Sequence, residues 1–551
     1  QPSGQGGVAR VFIRGGEQNL TMVLLDGIRV NDPNDSRGTP FDFSTVNLND
    51  VERIEIVRGP QSAVYGSDAL AGVINIISKD YADEFGSSIL AEVGGDDYRK
   101  ASIDLAGPIG EGGFSLRVAT KDDGEPVTGS TFTGDVVSGR VSFGSRDGWQ
   151  LRLFGSYSDS EGTAFPEDSG GSDLAVIRVT DERAATSTRM GMTGRLPLSD
   201  RWGLNFLATW YDLDTSFASP GIAPGVRDGV PPNGADANLQ RAGAALNAIV
   251  DVSDSLTATF GMDYYDEDGV SDGYVEFFPG FNVPAGFASS RSVTGVFGEL
   301  HYATEVGPVL MASTRRDDAN TEHGETTHKL GVLHQFANGR TTLRANWGQG
   351  FKLPIFFSLA SPLVGNPDLV PEKSESYDLG ISHQFADTRF EFSASVFRNE
   401  FRDIADFDPE LFLIVNLGRL DIDGVELQLG YVAGDSFSIH AHATHLDIDA
   451  AEPLRQRPDW RAGLSLRWAP SDKWLLDSSW LYTGKTWDTS VPTGARWLDS
   501  YNRMDTTLTF RHSDDVQVVL SATNLFDEDY YEAIGFPAPG ARARHGLRYA
   551  F

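Results

Sequence analysis

Two acidic stretches are the first residues in this sequence whose types and spacing suit a chemical task. One runs Asp159-Ser160-Glu161, and the other lies within 263–272 and contains Asp266 and Asp268. Several carboxylates in one short segment are the ligands that Ca²⁺ prefers, because this hard cation takes oxygen donors from side chains and carbonyl groups. The pattern therefore predicts calcium sites in two loops, and solvated loop tips are the alternative interpretation.

Other chemical tasks find no support in the residue types. The sequence contains no Walker loop and no His-Glu-x-x-His motif, so no enzyme class is indicated. Cysteine is absent, which excludes disulfide bonds, thiolate metal sites and a cysteine nucleophile. The formal net charge is -33, whereas nucleic-acid binding needs basic patches that neutralise phosphates. We therefore expect neither catalysis nor a nucleic-acid partner.

The elements that carry these residues are not transmembrane helices. The chain of 551 residues has no run of about 18 apolar residues, which a spanning helix needs. Its mean hydropathy is slightly negative. That value is ordinary for a membrane barrel, because its strands alternate apolar residues toward lipid with polar residues toward the lumen. The 60 glycines and 11% aromatic residues suit the tight turns and aromatic girdles of such a barrel.

A regular rhythm of strands and turns begins at about residue 86. Segments of about ten residues alternate large with small or polar side chains and end in a turn signal. About ten of these turns are short and polar, and longer segments rich in Gly, Pro, Asp and aromatic residues separate them. The alternation predicts about 22 antiparallel strands that close on themselves. A soluble propeller is the alternative, but no repeat of about 40 residues is evident.

The N-terminal part of the sequence differs from this rhythm. Its apolar runs at 11–15, 21–30 and 51–60 predict a small mixed α/β domain. The run RIEIVRGPQSAVYG at 53–66, followed by GVINII at 72–77, closely resembles the plug motif of TonB-dependent receptors. Two further plug elements are matched in the right order, by IRG at 13–15 and LDG at 25–27.

The rest of the chain resembles the barrel of the same family. The matching segments are GNPDL at 365–369, DGVE at 423–426 and NLFDEDY at 524–530. The final strand, GLRYAF, resembles the C-terminal signature of bacterial outer-membrane barrels. The chain also opens with Gln1-Pro2-Ser3-Gly4 and no signal peptide, which indicates the interior of a longer protein.

This resemblance implies an all-β fold, a 22-stranded antiparallel transmembrane β-barrel in the bacterial outer membrane with a small α/β plug in its lumen. The plug would take residues 1–82 and the barrel residues 83–551. The family's energy-coupling segment, the TonB box, and the first plug strands are expected upstream of this sequence. TonB, outer-membrane lipids, lipopolysaccharide and a large small-molecule ligand are the implied partners.

Within the family, the chain is most similar to the cobalamin (vitamin B12) receptor branch, which also contains iron-siderophore receptors. That branch has a calcium site with the pattern Gln-x-Asp-x-Asp-Gly, and the corresponding region at 121–137 lacks it. The expected function is energised uptake of cobalamin, with a ferric siderophore as the alternative ligand and Ca²⁺ in the loops as the one cofactor considered. A passive porin, or an adhesin or scaffold that has lost transport, are alternatives from other classes.

The resemblance also implies a contact that holds the plug in the barrel. Arg14 and Arg58 are plug arginines that would face acidic residues on the wall, Glu426 and Asp378. The family usually has Glu where this chain has Asp378. A buried ion pair is costly to break singly and can be exchanged, which suits a latch. The alternative is that these charges merely satisfy one another in a wet lumen.

Ligand contacts are expected from the long loops and from the outward tips of the plug. Aromatic side chains in loops can clamp a flat or apolar ligand, and packing of the loops over the barrel mouth is their alternative role. The residues predicted to contact ligand are Asn31, Asp32, Asn34, Phe277, Phe278, Phe281, Phe356, Phe357 and Trp487.

Overall fold

In the computed structural model, the predicted strands form a closed antiparallel barrel of 22 long strands around an N-terminal plug. The structure describes residues 9–38, 41–145, 148–305, 307–320, 324–337, 339–385 and 389–551. Four of the predicted turns, at 145–148, 305–308, 337–339 and 386–388, include residues outside these ranges. The predicted fold class is confirmed.

The plug is built on a four-stranded mixed sheet. Its elements are β1 (Thr21–Leu25), β2 (Ile28–Arg29), β3 (Val51–Arg58), α1 (Ser62–Tyr65) and β4 (Gly72–Ser78), with 3₁₀ turns at Gln18–Leu20 and Phe43–Thr45. The strand order is β2-β1-β4-β3, and β1 runs parallel to β4. All five residues of β1 are buried, because β1 lies inside the sheet and its TMVLL sequence packs on both faces.

The turn between β1 and β2 explains one Asp-Gly pair. Asp26 and Gly27 have positive φ angles of 52° and 84°. This is the type I′ geometry that Asp-Gly favours in a two-residue hairpin. The Asp26 carboxylate accepts a hydrogen bond of 2.9 Å from the backbone N–H of Ser78, at the end of β4. The turn therefore ties the two central strands together and places Asp26 at the edge of the plug.

The barrel begins at residue 86, and its long strands are all antiparallel to their neighbours. In chain order the remaining elements are β5 (Gly86–Gly94), β6 (Arg99–Ile109), β7 (Gly112–Asp122), β8 (Thr131–Gly144), β9 (Gln150–Ala164), α2 (Gly171–Leu174), β10 (Asp181–Ser199), β11 (Trp202–Ser219), β12 (Asn233–Ser253), β13 (Leu256–Phe278), β14 (Phe281–Pro284), β15 (Phe287–Ala303), β16 (Pro308–Ala319), β17 (Glu325–Gln335), β18 (Thr341–Lys352), α3 (Phe356–Ala360), β19 (Glu372–Gln384), β20 (Phe390–Asp408), β21 (Leu413–Val432), β22 (Phe437–Ala450), β23 (Trp460–Ser471), β24 (Trp474–Thr483), β25 (Thr486–Ser490), β26 (Gly494–Leu498), β27 (Tyr501–Arg511), β28 (Val516–Thr523), β29 (Tyr531–Ala533), β30 (Phe536–Pro537) and β31 (Arg542–Ala550).

The first and last barrel strands pair with each other. Tyr549 of β31 lies opposite Ile89 of β5, and Ser87 and Phe551 exchange backbone hydrogen bonds of 3.1 and 3.0 Å. The short strand β14 lies beside β13, and β25–β26 and β29–β30 form hairpins outside the barrel. Closure leaves no open barrel edge, which a sheet in lipid requires. Every helix in the described ranges is too short or too polar to cross a membrane.

Side chains alternate between the lumen and the outer face along the strands. On β13 the side chains of Phe260, Met262 and Tyr264 are exposed on the outer face, whereas Tyr265 and Glu267 are buried toward the lumen. The next two outward positions, Asp266 and Asp268, are acidic. The outer face of β13 therefore changes from apolar to acidic at this point, with an aromatic ring at the change, as expected at a membrane interface.

The predicted calcium residues do not lie in loops. Asp159 and Glu161 belong to β9, and Asp266 and Asp268 belong to β13. The loop assignment is wrong because both strands continue well past the predicted length of about ten residues. Asp159 and Glu161 share the strand parity of the outer-face residue Tyr157 on β9, and Asp266 and Asp268 share that of Tyr264 on β13. Among the described residues, no group of three or more His, Cys, Asp or Glu side chains could hold a metal ion.

Strand β13 also contains a spacing that resembles a hydrolase motif. Gly269-Val270-Ser271-Asp272-Gly273 matches Gly-x-Ser-x-Gly, a motif that acts only where the serine stands on a sharp turn from a strand into a helix. Here Ser271 lies within the strand and is paired with Ala237 on one side and Phe287 on the other. The regular pairing gives no elbow, so the match has no catalytic meaning.

The position of the apolar band can be tested with a pair of outward substitutions on β13. Phe260→Arg is expected to lower the free energy of unfolding in lipid by about 2–4 kcal/mol, because Phe260 lies midway between the strand start at Leu256 and Tyr264, and a charge near the bilayer midplane loses its hydration. Asp268→Arg, on the same face beyond Tyr264, should change it by about 1 kcal/mol or less. Denaturant unfolding in phosphatidylcholine vesicles measures both variants. Equal losses in the two would contradict the assigned boundary.

Candidate functional site

Arg14 of the plug lies between two carboxylates of the barrel wall. Its Nη2 donates hydrogen bonds of 2.9 Å to both Asp378 Oδ2 and Glu426 Oε2, and its Nε donates one of 3.3 Å to Glu426 Oε1. The guanidinium also lies 4.1 Å from the ring centre of Phe397, a cation–π contact. Arg14 has a φ of 49° and precedes Gly15 at 80°. A tight left-handed turn therefore places the guanidinium between its two partners.

Arg58 reaches the same site from the end of β3. Its Nη1 donates a hydrogen bond of 3.2 Å to Glu426 Oε2, which also accepts one of 3.1 Å from Ser395 Oγ. Asn346 Nδ2 donates one of 3.2 Å to Asp378 Oδ1, so the shorter Asp side chain is held within reach of the plug. The structure brings together all four residues named for this contact, which we call the Glu426 cluster: Arg14, Arg58, Asp378 and Glu426.

A cavity of about 280 Å³ lies beside the Glu426 cluster, between β3 of the plug and β17–β19 of the wall. Arg14, Arg58, Lys329 and Arg344 are among the residues that line it. The side chain of Arg58 is 43% exposed, compared with 5% for Arg14. Arg58 therefore has room to leave Glu426, whereas Arg14 also borders the cavity but is buried between its two partners.

Three arginines on neighbouring strands β7, β8 and β9 form a second plug contact, which the sequence analysis missed. Each stands at an inward position and meets an aspartate of the N-terminal domain. The pairs are Arg117 Nη1 with Asp50 Oδ1 at 2.8 Å, Arg140 Nη2 with Asp26 Oδ1 at 3.0 Å, and Arg152 with Asp80. The sequence did contain a signal for this contact, because β7, β8 and β9 each carry an arginine at an inward position in a strongly acidic chain.

A third contact is centred on Glu267, and the sequence analysis missed it too. Arg241 Nε donates a hydrogen bond of 2.7 Å to Glu267 Oε2, and Arg291 Nε donates one of 2.5 Å to Glu267 Oε1. Glu267 is 1% exposed. The three residues, which we call the Glu267 cluster, lie on the inner faces of β12, β13 and β15. The sequence offered only the run 266–268, whose middle residue points to the opposite face from its neighbours.

Two asparagines predicted to contact ligand serve the plug instead. Asn31 is 1% exposed, and its side chain accepts a hydrogen bond of 2.8 Å from the N–H of Val23 and donates one of 3.1 Å to the carbonyl of Thr21. Asn34 is 7% exposed and donates one of 3.0 Å to the carbonyl of Asn238. In this conformation neither amide is available to a ligand, because this plug loop packs against the wall. Periodicity alone could not reveal that packing.

Asp32 lies between these asparagines in the sequence, and the pKa of its carboxyl group is strongly raised. Its carboxylate accepts a hydrogen bond of 2.9 Å from the N–H of Asn34. Burial, together with the nearby charges of Asp35 and Glu267, raises the pKa of Asp32 to about 7, against the opposing effects of the Asn34 N–H and Arg241. Asp32 therefore changes protonation near neutral pH.

The predicted aromatic residues do not form one site. Phe356 is 1% exposed and lies under the guanidinium of Arg291, 5.1 Å from it, so it cannot meet a ligand directly. Phe357 is partly buried, packs edge-on to Phe287 at 6.1 Å, and donates its N–H to the carbonyl of Pro33 at 3.2 Å. Of this pair, the structure leaves Phe357 as the candidate for ligand contact at the plug.

The other aromatic residues lie on two separate hairpins. Phe277, Phe278 and Phe281 are 45%, 70% and 58% exposed at the end where β13 meets β14. Trp487 lies on β25 opposite Trp497 of β26. The sequence correctly identified exposed aromatic residues in the β13–β14 hairpin, but it gave no information about which of them face each other.

Ion pairs also join the long loop after β9 to the β11–β12 and β22–β23 loops. Asp168, after β9, contacts Arg227 of the β11–β12 loop at 3.0 Å and Arg455 of the β22–β23 loop at 2.8 Å. Its carbonyl accepts a hydrogen bond of 2.8 Å from the N–H of Val491. Four loops are therefore tied together at Asp168, and this contact had no sequence signal, because its members are far apart in the chain.

Two family models match this chain. Residues 92–525 match a model described as "TonB dependent receptor-like, beta-barrel", and residues 1–73 match one described as "TonB-dependent Receptor Plug Domain". Among curated relatives, "Vitamin B12 transporter BtuB" of Photobacterium profundum is 26% identical over 555 residues. The alignment covers 96% of this chain and 84% of that relative.

Solved structures show the same fold. The siderophore receptor PiuA from Acinetobacter baumannii has a TM-score of 0.79 at 16% identity, and the match covers 100% of this chain and 92% of that one. The copper transporter OprC has a TM-score of 0.81 at 16% identity, covering 100% and 93%. At such identities the likeness shows the plugged-barrel fold alone.

The strength of the Glu426 cluster can be tested by removing its shared charge. Glu426→Gln leaves Arg14 and Arg58 with one carboxylate between them, and loss of one partner from a buried ion pair costs about 3–5 kcal/mol. We expect the plug to be displaced at a lower urea concentration, measured as the onset of ion conductance in planar bilayers. The matched control is Asp423→Asn, an outer-face change on β21 with a 55% exposed side chain. An unchanged onset in Glu426→Gln would contradict the assignment.

Titration of Asp32 should make its loop pH-dependent. The pKa of Asp32 is raised from 3.8 to about 7 in the folded protein, so the folded state binds the extra proton between these values and loses stability as pH rises through them. After correction for intrinsic rates, amide exchange at 28–35 should be about tenfold slower at pH 5 than at pH 8. Asp32→Asn should remove this difference. A loop that is more protected at pH 8 would refute the sign.

Proposed function

Because the chain belongs to the TonB-dependent receptor family, we propose that it takes up a scarce, large ligand across the bacterial outer membrane, with cobalamin as the first candidate. Members of this family are outer-membrane receptors and transporters and not enzymes.

A filled lumen supports active transport over a passive pore. Plug residues such as Ile13, Leu20 and Ile74 pack in one apolar cluster with wall residues such as Phe401 and Ile422. A passive porin needs an open channel, which this packing and the polar contacts between plug and wall block. Passage of a large ligand therefore requires energy to rearrange the plug, and in this family coupling to TonB supplies that energy.

The observation that carries the release mechanism is one wall carboxylate shared by two plug arginines. Glu426 binds both Arg14 and Arg58. If Arg58 moves into the adjoining cavity, Glu426 keeps Arg14 as its partner, so no buried charge is left alone. The Glu426 cluster then works as a latch that opens in two steps, first at the exposed Arg58 and then at the buried Arg14.

Sequence similarity favours cobalamin over other cargo. The Photobacterium relative is named as a vitamin B12 transporter and aligns over nearly the whole chain. The siderophore receptor resembles this chain in fold at a lower identity, which keeps a ferric siderophore as the alternative. Calcium remains part of the proposal as an addition to test, with the acidic outer-face residues of β9 and β13 as its candidate ligands. The outer face of the barrel is proposed to contact lipid and, above the aromatic level, lipopolysaccharide.

The cargo is tested by calorimetry of cyanocobalamin with the detergent-purified, full-length protein, with and without Ca²⁺. Nanomolar binding is expected if cobalamin is the cargo. Phe357→Ala should weaken it about tenfold, because this ring lies beside the plug loop, while Phe412→Ala, at the exposed turn between β20 and β21, is the matched control. Absence of binding at micromolar ligand would remove cobalamin, leave the family assignment intact and direct the same assay to ferric siderophores.

A further inference from the structure

The Glu267 cluster touches two separate parts of the molecule. On one side, Arg241 Nη1 and Nη2 donate hydrogen bonds of 2.9 and 3.0 Å to the carbonyls of Arg29 and Asn31 in the plug. On the other side, Arg291 Nη1 donates one of 2.7 Å to the carbonyl of Pro354, just before α3. Glu267 stands between the two arginines and connects the plug loop with the segment 353–360.

Both parts connected in this way adjoin the candidate ligand residues. The plug loop carries Asp32, and the segment 353–360 carries Phe357. The two also meet directly, where the N–H of Phe357 donates to the carbonyl of Pro33 at 3.2 Å. Below this point, the N–H of Leu353 donates to Ser67 Oγ at 3.0 Å. The segment 353–360 therefore runs along the plug, and Arg291 connects it to Glu267 on the barrel wall.

The energetics favour a rigid connection at Glu267. Arg241, Glu267 and Arg291 are 6%, 1% and 5% exposed. A buried carboxylate is stable only when its partners satisfy it, so neither arginine can leave without leaving charge uncompensated. Unlike Arg58, neither of these arginines lines the cavity beside the Glu426 cluster. The Glu267 cluster is therefore built to stay closed.

The geometry points to Glu267 as a positioning residue that couples the segment 353–360 to the plug loop, so that a ligand seated on one displaces or orders the other. The role given to a bound ligand rests on the proposed function, whereas the coupling between the two segments is a property of the ligand-free protein. The coupling divides the plug into an outer part, which moves together with the segment 353–360, and an inner part, which the Glu426 cluster holds.

Hydrogen–deuterium exchange of the full-length, ligand-free protein tests the coupling. The reporters are peptides covering 28–35 and 353–361. Arg291→Gln should raise exchange in 353–361 about tenfold, because Arg291 binds the carbonyl of Pro354 there. It should also raise exchange several-fold in 28–35, although the hydrogen bonds of Arg291 among the described residues go only to Glu267 and Pro354. Arg241→Gln should produce the reciprocal effect in 353–361.

A double variant separates coupling through Glu267 from the direct contact at Pro33. In a Glu267→Gln background, Arg291→Gln should add nothing to exchange in 28–35, because the connecting charge is already gone. Asp423→Asn, an exposed outer-face carboxylate on β21, is the control and should leave both peptides unchanged. If Glu267→Gln fails to fold, the two single arginine variants still decide the question.

Two results would overturn the inference. One is a local effect, in which each arginine variant changes only the peptide that it touches. The other is a rise of similar size in peptides around the Glu426 cluster, which indicates general loosening of the plug. Neither result depends on cobalamin binding, so failure of the proposed cargo and failure of this coupling are distinguishable.

Discussion

Ion pairs across the boundary between plug and wall are the interaction on which the rest of this structure depends. A barrel of this size has a lumen too wide for its own side chains to fill, so a separate domain must be held inside it. Apolar packing contributes to that hold but does not fix an orientation, whereas paired charges do. The Glu426 cluster and the arginines of β7–β9 supply such pairs, and at Glu267 a wall arginine binds backbone carbonyls of the plug instead.

These contacts differ in how easily they can be exchanged. At Glu426, one of two plug arginines has a partly exposed side chain beside a cavity. At Glu267, by contrast, the arginines come from the wall and hold backbone carbonyls of the plug and of the segment before α3. A carbonyl bound in this way has no charge that could move to a new partner. The plug is therefore attached exchangeably on one side and firmly on the other, which favours rearrangement over release as a rigid unit.

The sequence was sufficient for the barrel, the plug and the members of the Glu426 cluster, because strand periodicity and long motifs are local signals. It failed where the answer depended on strand length and pairing. Asp159 and Asp266 were placed in loops because nothing local marks the point at which a strand leaves the membrane. Asn31 was assigned to ligand because its buried partners, the backbone groups of Thr21 and Val23, become visible only in the folded plug.

Glu267 shows most clearly what a local pattern cannot provide. Its neighbours Asp266 and Asp268 have the same charge, yet alternation turns them outward and turns Glu267 inward, where two arginines from other strands enclose it. The net charge of -33 is thus not spread evenly over the molecule. It correctly argues against a nucleic-acid partner, which would meet the outer surface, but it has no bearing on a lumen in which arginines face the carboxylates and carbonyls of the plug. The pairing of strands decides which of these two environments an acidic residue enters, and therefore what it can do.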